Sequence, residues 1–277
     1  MKKYIFVLIL PLIILITVPV FSFDTLYIGS FAPENEMIQD FIINLSELDY
    51  SQGGLILEFG SDYFVGEKGT IPLSRVIMLF RTQKVIANNS SLNINIGEII
   101  KEASGFVIPT KIRLLPIDKP GIYENTLTIR SLGGEIIAKK RIIFEIKSWA
   151  IFELGNQKYM QISFSDPSSN KMKSSGAVIL KLASNTNWEL YGHINEKGEE
   201  LADKLNIYTK RKIGEQYIKE GPVKINNKPK LISKGTQTVV RDSFWAEIDL
   251  FMEIEDITNI YSGYKEFPVV LYLNTKN

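Results

Sequence analysis

"DKPGIY", Asp118 to Tyr123, and "DITNIY", Asp256 to Tyr261, are written in one frame: Asp, three residues, then Ile-Tyr. In the first, Pro120-Gly121 supplies a tight turn and an aromatic then opens a strand. In the second, Asn259 stands where Gly121 stands, and Asn tolerates a left-handed backbone. Gly263-Tyr264 offers a second Gly-then-Tyr corner there, so Tyr261 and Tyr264 are alternatives for the same plug. The frame extends upstream without a gap. With Phe106 set on Phe244, Ile108 meets Ala246, Thr110 meets Ile248, Ile112 meets Leu250 and Leu114 meets Met252. Lys111 and Arg113 fall against Asp249 and Phe251. Both copies alternate at period 2, as a strand with one buried face must. Every half-buried strand alternates, so alternation alone is weak. The shared Phe and the Asp-x-x-x-Ile-Tyr in one gapless frame favour an internal duplication, with Leu55 and Leu57 matching Trp188 and Leu190 further upstream.

The rest of the chain is written in the same style. "LILEF" (Leu55–Phe59), "RVIMLF" (Arg75–Phe80), "LNINI" (Leu92–Ile96), "TLTIR" (Thr126–Arg130) and "RIIFEI" (Arg141–Ile146) are short runs rich in β-branched or aromatic residues. "AVILKL" (Ala177–Leu182), "NWELYG" (Asn187–Gly192), "FWAEIDLFMEI" (Phe244–Ile254) and "VVLYL" (Val269–Leu273) continue the series. Short strands with frequent turn signals predict sandwiches rather than βα units. Gly53-Gly54 and Gly133-Gly134 read as hairpin turns. Asn35–Leu48 has weak helical spacing but also fits a strand at Asp40–Leu45, and Glu196–Leu205 has room for a helical turn or two. The expected division is a signal peptide at 1–22, a β-sandwich at 23–148 and a second at 149–277. The connection near Ile146–Leu154 is too short for a free linker.

"DKPGIYENTLTI" resembles the corner of immunoglobulin-like sandwiches, where a Tyr at the start of strand F packs on the core and bonds back to the corner backbone. No paired cysteines accompany it, so the resemblance is to the general class of bacterial extracytoplasmic Ig-like β-sandwiches. It implies an all-β fold of two tandem Ig-like domains and a surface, envelope or adhesive role. The implied structural corner residues are Asp118, Tyr123, Asp256 and Tyr261 or Tyr264. A fimbrial-type chaperone also has two such domains and a signal, but no recognisable subunit-anchoring basic residues stand near the expected mature N-terminus.

Composition narrows the classes. Of 277 residues 45% are hydrophobic and 23% charged, which is globular rather than disordered. A formal net charge of +1 gives no field for nucleic acid. Lys210-Arg211-Lys212 reads as a solvated turn. Lys2 and Lys3, the apolar run Tyr4 to Val20 and the small residues of "VFSFD" form a secretory signal, cleaved after Ser22. If it is not cleaved, the same run is the one membrane attachment the chain offers. Without Cys no lipid or disulfide can form there, so the exported fold rests on its hydrophobic core.

Catalytic constellations are missing. His193 is the one histidine, and no H-E-x-x-H, G-x-S-x-G, P-loop or dinucleotide fingerprint occurs. No cofactor or metal is expected. Glu247, Asp249 and Glu253 on one strand face, and the acidic residues Glu196, Glu199, Glu200 and Asp203, read as solvated surface. Aromatics remain. Trp188 and Leu190 share a core face, whereas Trp245 and Phe251 fall out of phase with Ile248 and Leu250 and are the candidate binding or interdomain surface. The sequence thus predicts an exported, non-enzymatic envelope or surface protein with structural or binding work. Its partner is another envelope protein or a glycan, not nucleic acid. The alternatives are a pair of carbohydrate-binding modules and a small secreted glycosidase or lyase, which needs only two carboxylates across a cleft. N-terminal sequencing of the exported product should begin close to Phe23; a full-length chain held in the membrane would make the leader an anchor.

Overall fold

The structure, a computed structural model, describes residues 24–45, 53–103, 105–156, 158, 160–164, 170–195, 201–213, 216–240, 243–256 and 268–276. The expected signal segment, Tyr261, Tyr264, Glu196, Glu199 and Glu200 lie outside the described residues.

Alternating side chains set the pairing. Strands β1 (Asp24–Phe31), β12 (Ile136–Ile146), β11 (Gly121–Ser131), β3 (Gly54–Phe59) and β8 (Leu92–Asn95) lie in that order in one sheet, with β4 (Tyr63–Gly66) on β11 and β5 (Gly69–Pro72) on β4. Facing it is a sheet of β2 (Met37–Leu45), β10 (Gly105–Leu114), β6 (Val76–Leu79) and β7 (Lys84–Ile86), with β9 (Ile100–Glu102) on β10. Between the sheets Ile43, Leu57, Ile108, Ile112, Leu127, Ile142 and Phe144 are all buried in one cluster. Each such aliphatic is worth roughly 1.5–3 kcal/mol over its exposed state. β1 pairs in parallel with β12, and Asp24 there meets the buried Lys140 at 2.5 Å.

The second half is again built of two sheets. One sheet runs β13 (Ala150–Leu154), β16 (Val178–Ser184), β21 (Ala246–Glu255), β15 (Lys171–Ser174) and β14 (Ile162–Phe164), with β18 (Leu205–Ile213) on β21 and β19 (Gln216–Ile225) on β18. The other is β20 (Lys230–Gly235), β17 (Asn187–Ile194) and β22 (Val269–Lys276). Trp188, Leu190, Leu205, Ile207, Ile248 and Leu250 fill its core. In each half the strand before the corner, β10 or β21, is paired on both sides by earlier strands, β2 and β6 or β16 and β18. The strand after it, β11 or β22, pairs with β3 or β17 in the opposite sheet. The described chain is all-β, in Ig-like sandwiches whose strands pair antiparallel apart from β1 with β12.

Some expectations change. Of the two readings of Asn35–Leu48 the strand holds, at Met37–Leu45, because Phe41, Ile43 and Leu45 alternate into the core at period 2. Lys210-Arg211-Lys212 is no turn: it lies inside β18, paired with β19 throughout and with β21 at Lys210 and Arg211. Gly53-Gly54 is not a hairpin, since β2 and β3 belong to different sheets; Gly53, at φ +68, leads instead into β3. Gly133-Gly134 does close the β11–β12 hairpin, with Gly134 N–H donating to Ser131 at 2.9 Å.

At the corner Tyr123 is buried, stacks on Phe144 at 5.6 Å, and donates its hydroxyl to the Lys119 carbonyl at 2.7 Å. Gly66 on β4 makes room: a Cβ there would sit 2.9 Å from the Tyr123 ring and from the Ile122 carbonyl. Burial, reinforced by Asp118 and opposed by Arg75, pushes the Tyr123 phenol up to about 12. A raised phenol means that the folded chain favours the protonated ring. Its contribution is therefore complete below the ordinary value of 10.0 and is lost as pH rises toward 12. Tyr123→Phe should lower the urea midpoint at pH 7 by the equivalent of about 1–3 kcal/mol, the cost of an unsatisfied buried carbonyl. It should also flatten the loss of stability between pH 10 and 12; an unchanged midpoint would remove the hydroxyl from the corner's support.

Candidate binding surface

The singled-out residues separate into a junction and a groove. At the junction Asp118 is buried, and its carboxylate accepts from Arg75 at 2.6 and 2.9 Å and from the Leu115 N–H at 2.7 Å. Its carbonyl faces the other half, where the amide of buried Asn185, on the turn between β16 and β17, donates to it at 3.1 Å. The same amide donates to the Lys147 carbonyl at 3.1 Å, and the Asn185 side-chain oxygen accepts from the Trp149 N–H at 2.9 Å. Gln237 adds a bond to the Ile117 carbonyl at 3.2 Å. Around these bonds Trp149, Ala183 and Val239 are buried, with Ile117, Phe244 and Trp245 packed against them. Trp245 meets Phe244 edge to face at 5.1 Å, and Phe244 stacks on Trp149 at 6.0 Å. The structure thus places Trp245 half-buried in the contact between the halves.

Phe251 sits elsewhere. It is half-buried on the outer face of β21, lining a groove of about 630 Å³ with Tyr208, Lys173, Lys210, Lys219 and Glu253. A β-bulge opens it: Ile207 pairs with Val223 and Thr209 with Glu220, so Gly221 and Pro222 together oppose Tyr208. Gly221 has φ +103, and a Cβ on it would come 2.6 Å from the Ile207 carbonyl. No bulky side chain can therefore rise from that point. Glu253 departs from the expected solvated row. It is 6% exposed, because Lys171 and Lys173 close over it at 3.1 and 3.3 Å. Burial, aided by Glu253 and Glu255, raises the Tyr208 phenol, so it stays protonated.

Asp256, at φ +57, ends β21 and is exposed. His193 lies near the end of β17, edge-on to Tyr272 at 6.2 Å. On the same face Tyr191 stacks on Tyr272 at 5.3 Å and donates to Glu189 at 2.7 Å. The hydrogen bond from Lys276, then that from Tyr191, holds the Glu189 carboxyl below its usual range. Among the described residues no group of three or more His, Cys, Asp or Glu is placed to hold a metal. Among the described residues no helix is long and apolar enough to cross a membrane. Sequence reading missed Asn185, Gln237, Tyr208 and Lys219. Gly221-Pro222 inside an otherwise β-forming run was the available signal for the bulge.

No family model matches the chain, and no curated protein matches it. Among solved structures, one similar chain belongs to the CsuC–CsuE chaperone–tip adhesion subunit complex of archaic Csu pili from Acinetobacter baumannii. It is 9% identical over 91% of this chain and 98% of its own, with a TM-score of 0.43. Another is CfaE, the adhesive subunit of CFA/I fimbria of enterotoxigenic Escherichia coli, 9% identical over 92% and 94% with a TM-score of 0.39. A family 123 glycoside hydrolase from Clostridium perfringens is 16% identical over 45% of this chain and 23% of its own, with a TM-score of 0.27. The superpositions are loose, and nothing about residues or partners follows from them.

Asn185→Ala would leave the Asp118 and Lys147 carbonyls and the Trp149 N–H without their partner. The expected loss is about 1–3 kcal/mol for each group that water cannot reach, read as a lower urea midpoint. A variant as stable as the parent would show the junction to be wet.

Proposed function

We propose that the protein is an exported, non-catalytic structural and binding component of a cell envelope or cell surface, built of two sandwiches at 23–148 and 149–277. One observation carries this. Asn185 and Gln237 donate across to the Asp118, Lys147 and Ile117 carbonyls of the first half, while the Asp118 carboxylate holds its own corner through the Leu115 N–H. Such an investment suits a chain whose task is to hold surfaces in fixed relation. The groove carboxylates fit the same reading. Glu253 is held by two lysines, and Glu220 accepts from Ser233 and from Thr209 at 3.3 Å. Carboxylates committed in this way suit a binding surface better than an acid–base pair. The matching strand order of the halves supports their origin in an internal duplication, and Lys2 and Lys3 ahead of an apolar run support export.

Cell fractionation of the full chain, with its leader, tests the location: the protein should appear in the extracytoplasmic fraction, and retention in the cytoplasm would end the envelope reading. Trp245→Ser and Phe251→Ser separate packing from binding. Trp245→Ser should lower the denaturation midpoint by about 1–3 kcal/mol through lost burial. Phe251→Ser should cost less and should instead reduce capture on a glycan array. An array on which the parent protein captures nothing would turn the search to an envelope protein as partner.

A further inference from the structure

The groove beside Phe251 is bordered by two like charges that face each other. Lys210 on β18 and Lys219 on β19 stand directly opposite each other in the ladder. Like charges in that position repel and cost stability. Lys210 lies over the Tyr217 ring at 4.1 Å, and Asp249 is its register partner on the far side. Among the described residues neither lysine makes an ion pair. The other charges of the groove are spoken for: Glu253 by Lys171 and Lys173, Glu220 by Arg211 at 3.7 Å and by its two hydroxyl donors. Two residues along the same face, Tyr208 and Phe251 are also direct cross-strand partners. A lysine pair thus borders an aromatic pair, about 7 Å apart by strand rise. The bulge at Gly221-Pro222 keeps the approach to Tyr208 clear.

We propose that this groove binds an acidic saccharide, a hexuronate unit within a glycan chain. The carboxylate lies between the Lys210 and Lys219 ammonium groups, where it relieves their repulsion. The apolar C–H face of the sugar ring lies on Tyr208 and Phe251, whose ring faces are weakly negative and favour such contact. About 630 Å³ is room for one or two sugar rings, within the ordinary range of small-ligand sites. Neither half of this recognition suffices alone: a neutral sugar leaves the lysines opposed, and a bare anion leaves the aromatics unused. The proposal rests on the binding reading above and names its ligand.

Calorimetric titration of the full-length exported chain with trigalacturonate, maltotriose and inorganic phosphate tests it. Trigalacturonate should bind, more weakly as salt is raised. Lys219→Gln, at an exposed position, should weaken that binding at least tenfold, and so should Phe251→Ser. Lys219→Glu should abolish binding while leaving the unfolding midpoint of the free protein level or raised, because it turns a like-charge pair into an opposite one. Absence of binding by trigalacturonate, equal binding of maltotriose or phosphate, or an unchanged affinity in Lys219→Gln would each overturn the proposal. If Phe251→Ser does not fold, Lys219→Gln decides alone. A chain that fractionates with the envelope and ignores trigalacturonate loses this ligand and keeps its envelope role. A chain that binds trigalacturonate but stays in the cytoplasm keeps the site and loses that role.

Discussion

The carbonyl of Asp118 accepts a hydrogen bond from Asn185 while the carboxylate of the same residue is held by Arg75 and the Leu115 amide. One residue therefore fixes its own corner and presents that corner to the other half. The corner must be rigid for this to work, and the buried Tyr123 makes it so by returning its hydroxyl to Lys119. Asn185 is saturated in turn: both amide hydrogens and the oxygen are engaged with backbone. In a dry contact an unsatisfied amide is costly, so the bonds define one relative placement of the groups they join. The aromatic cluster of Trp149, Phe244 and Trp245 excludes water around them.

Much of the fold was legible because period-2 alternation is a strong constraint. Ile108, Ile112 and Leu114 must face one way, and they do, all of them fully buried. The corner was legible because Asp, Pro-Gly and Tyr each have a local reason to be there. Asn185 was not, since one Asn between two strands reads as a turn residue, and its partners Asp118 and Lys147 are distant in sequence. Glu253 was misread for a related reason. Its strand position points outward, but Lys171 and Lys173 from a neighbouring strand roof it over. Lys210-Arg211-Lys212 was misread because a cluster of charge masks β-forming neighbours. Arg211 is held half-buried over the Trp188 ring at 5.5 Å, and that contact appears only in three dimensions.

The groove shows how a small backbone irregularity shapes a surface. A regular β18–β19 ladder would put one residue opposite Tyr208; the bulge puts two, one of them without a side chain. The aromatic row then stands open beside the lysine row. Nothing in single-residue propensity announces this, because the effect belongs to the register of two strands rather than to either alone.

The parallel pairing of β1 with β12 has a consequence for assembly in time. Asp24 pairs with Lys140 and Phe31 with Ile146, so β1 must wait during synthesis for the last strand of its sandwich. Until then Leu26 and Ile28 lack the neighbours that cover them in the finished core, and loop closure must be achieved over the whole intervening chain before the pairing rewards it. The residues of β1 are then those whose delay sets the window for aggregation.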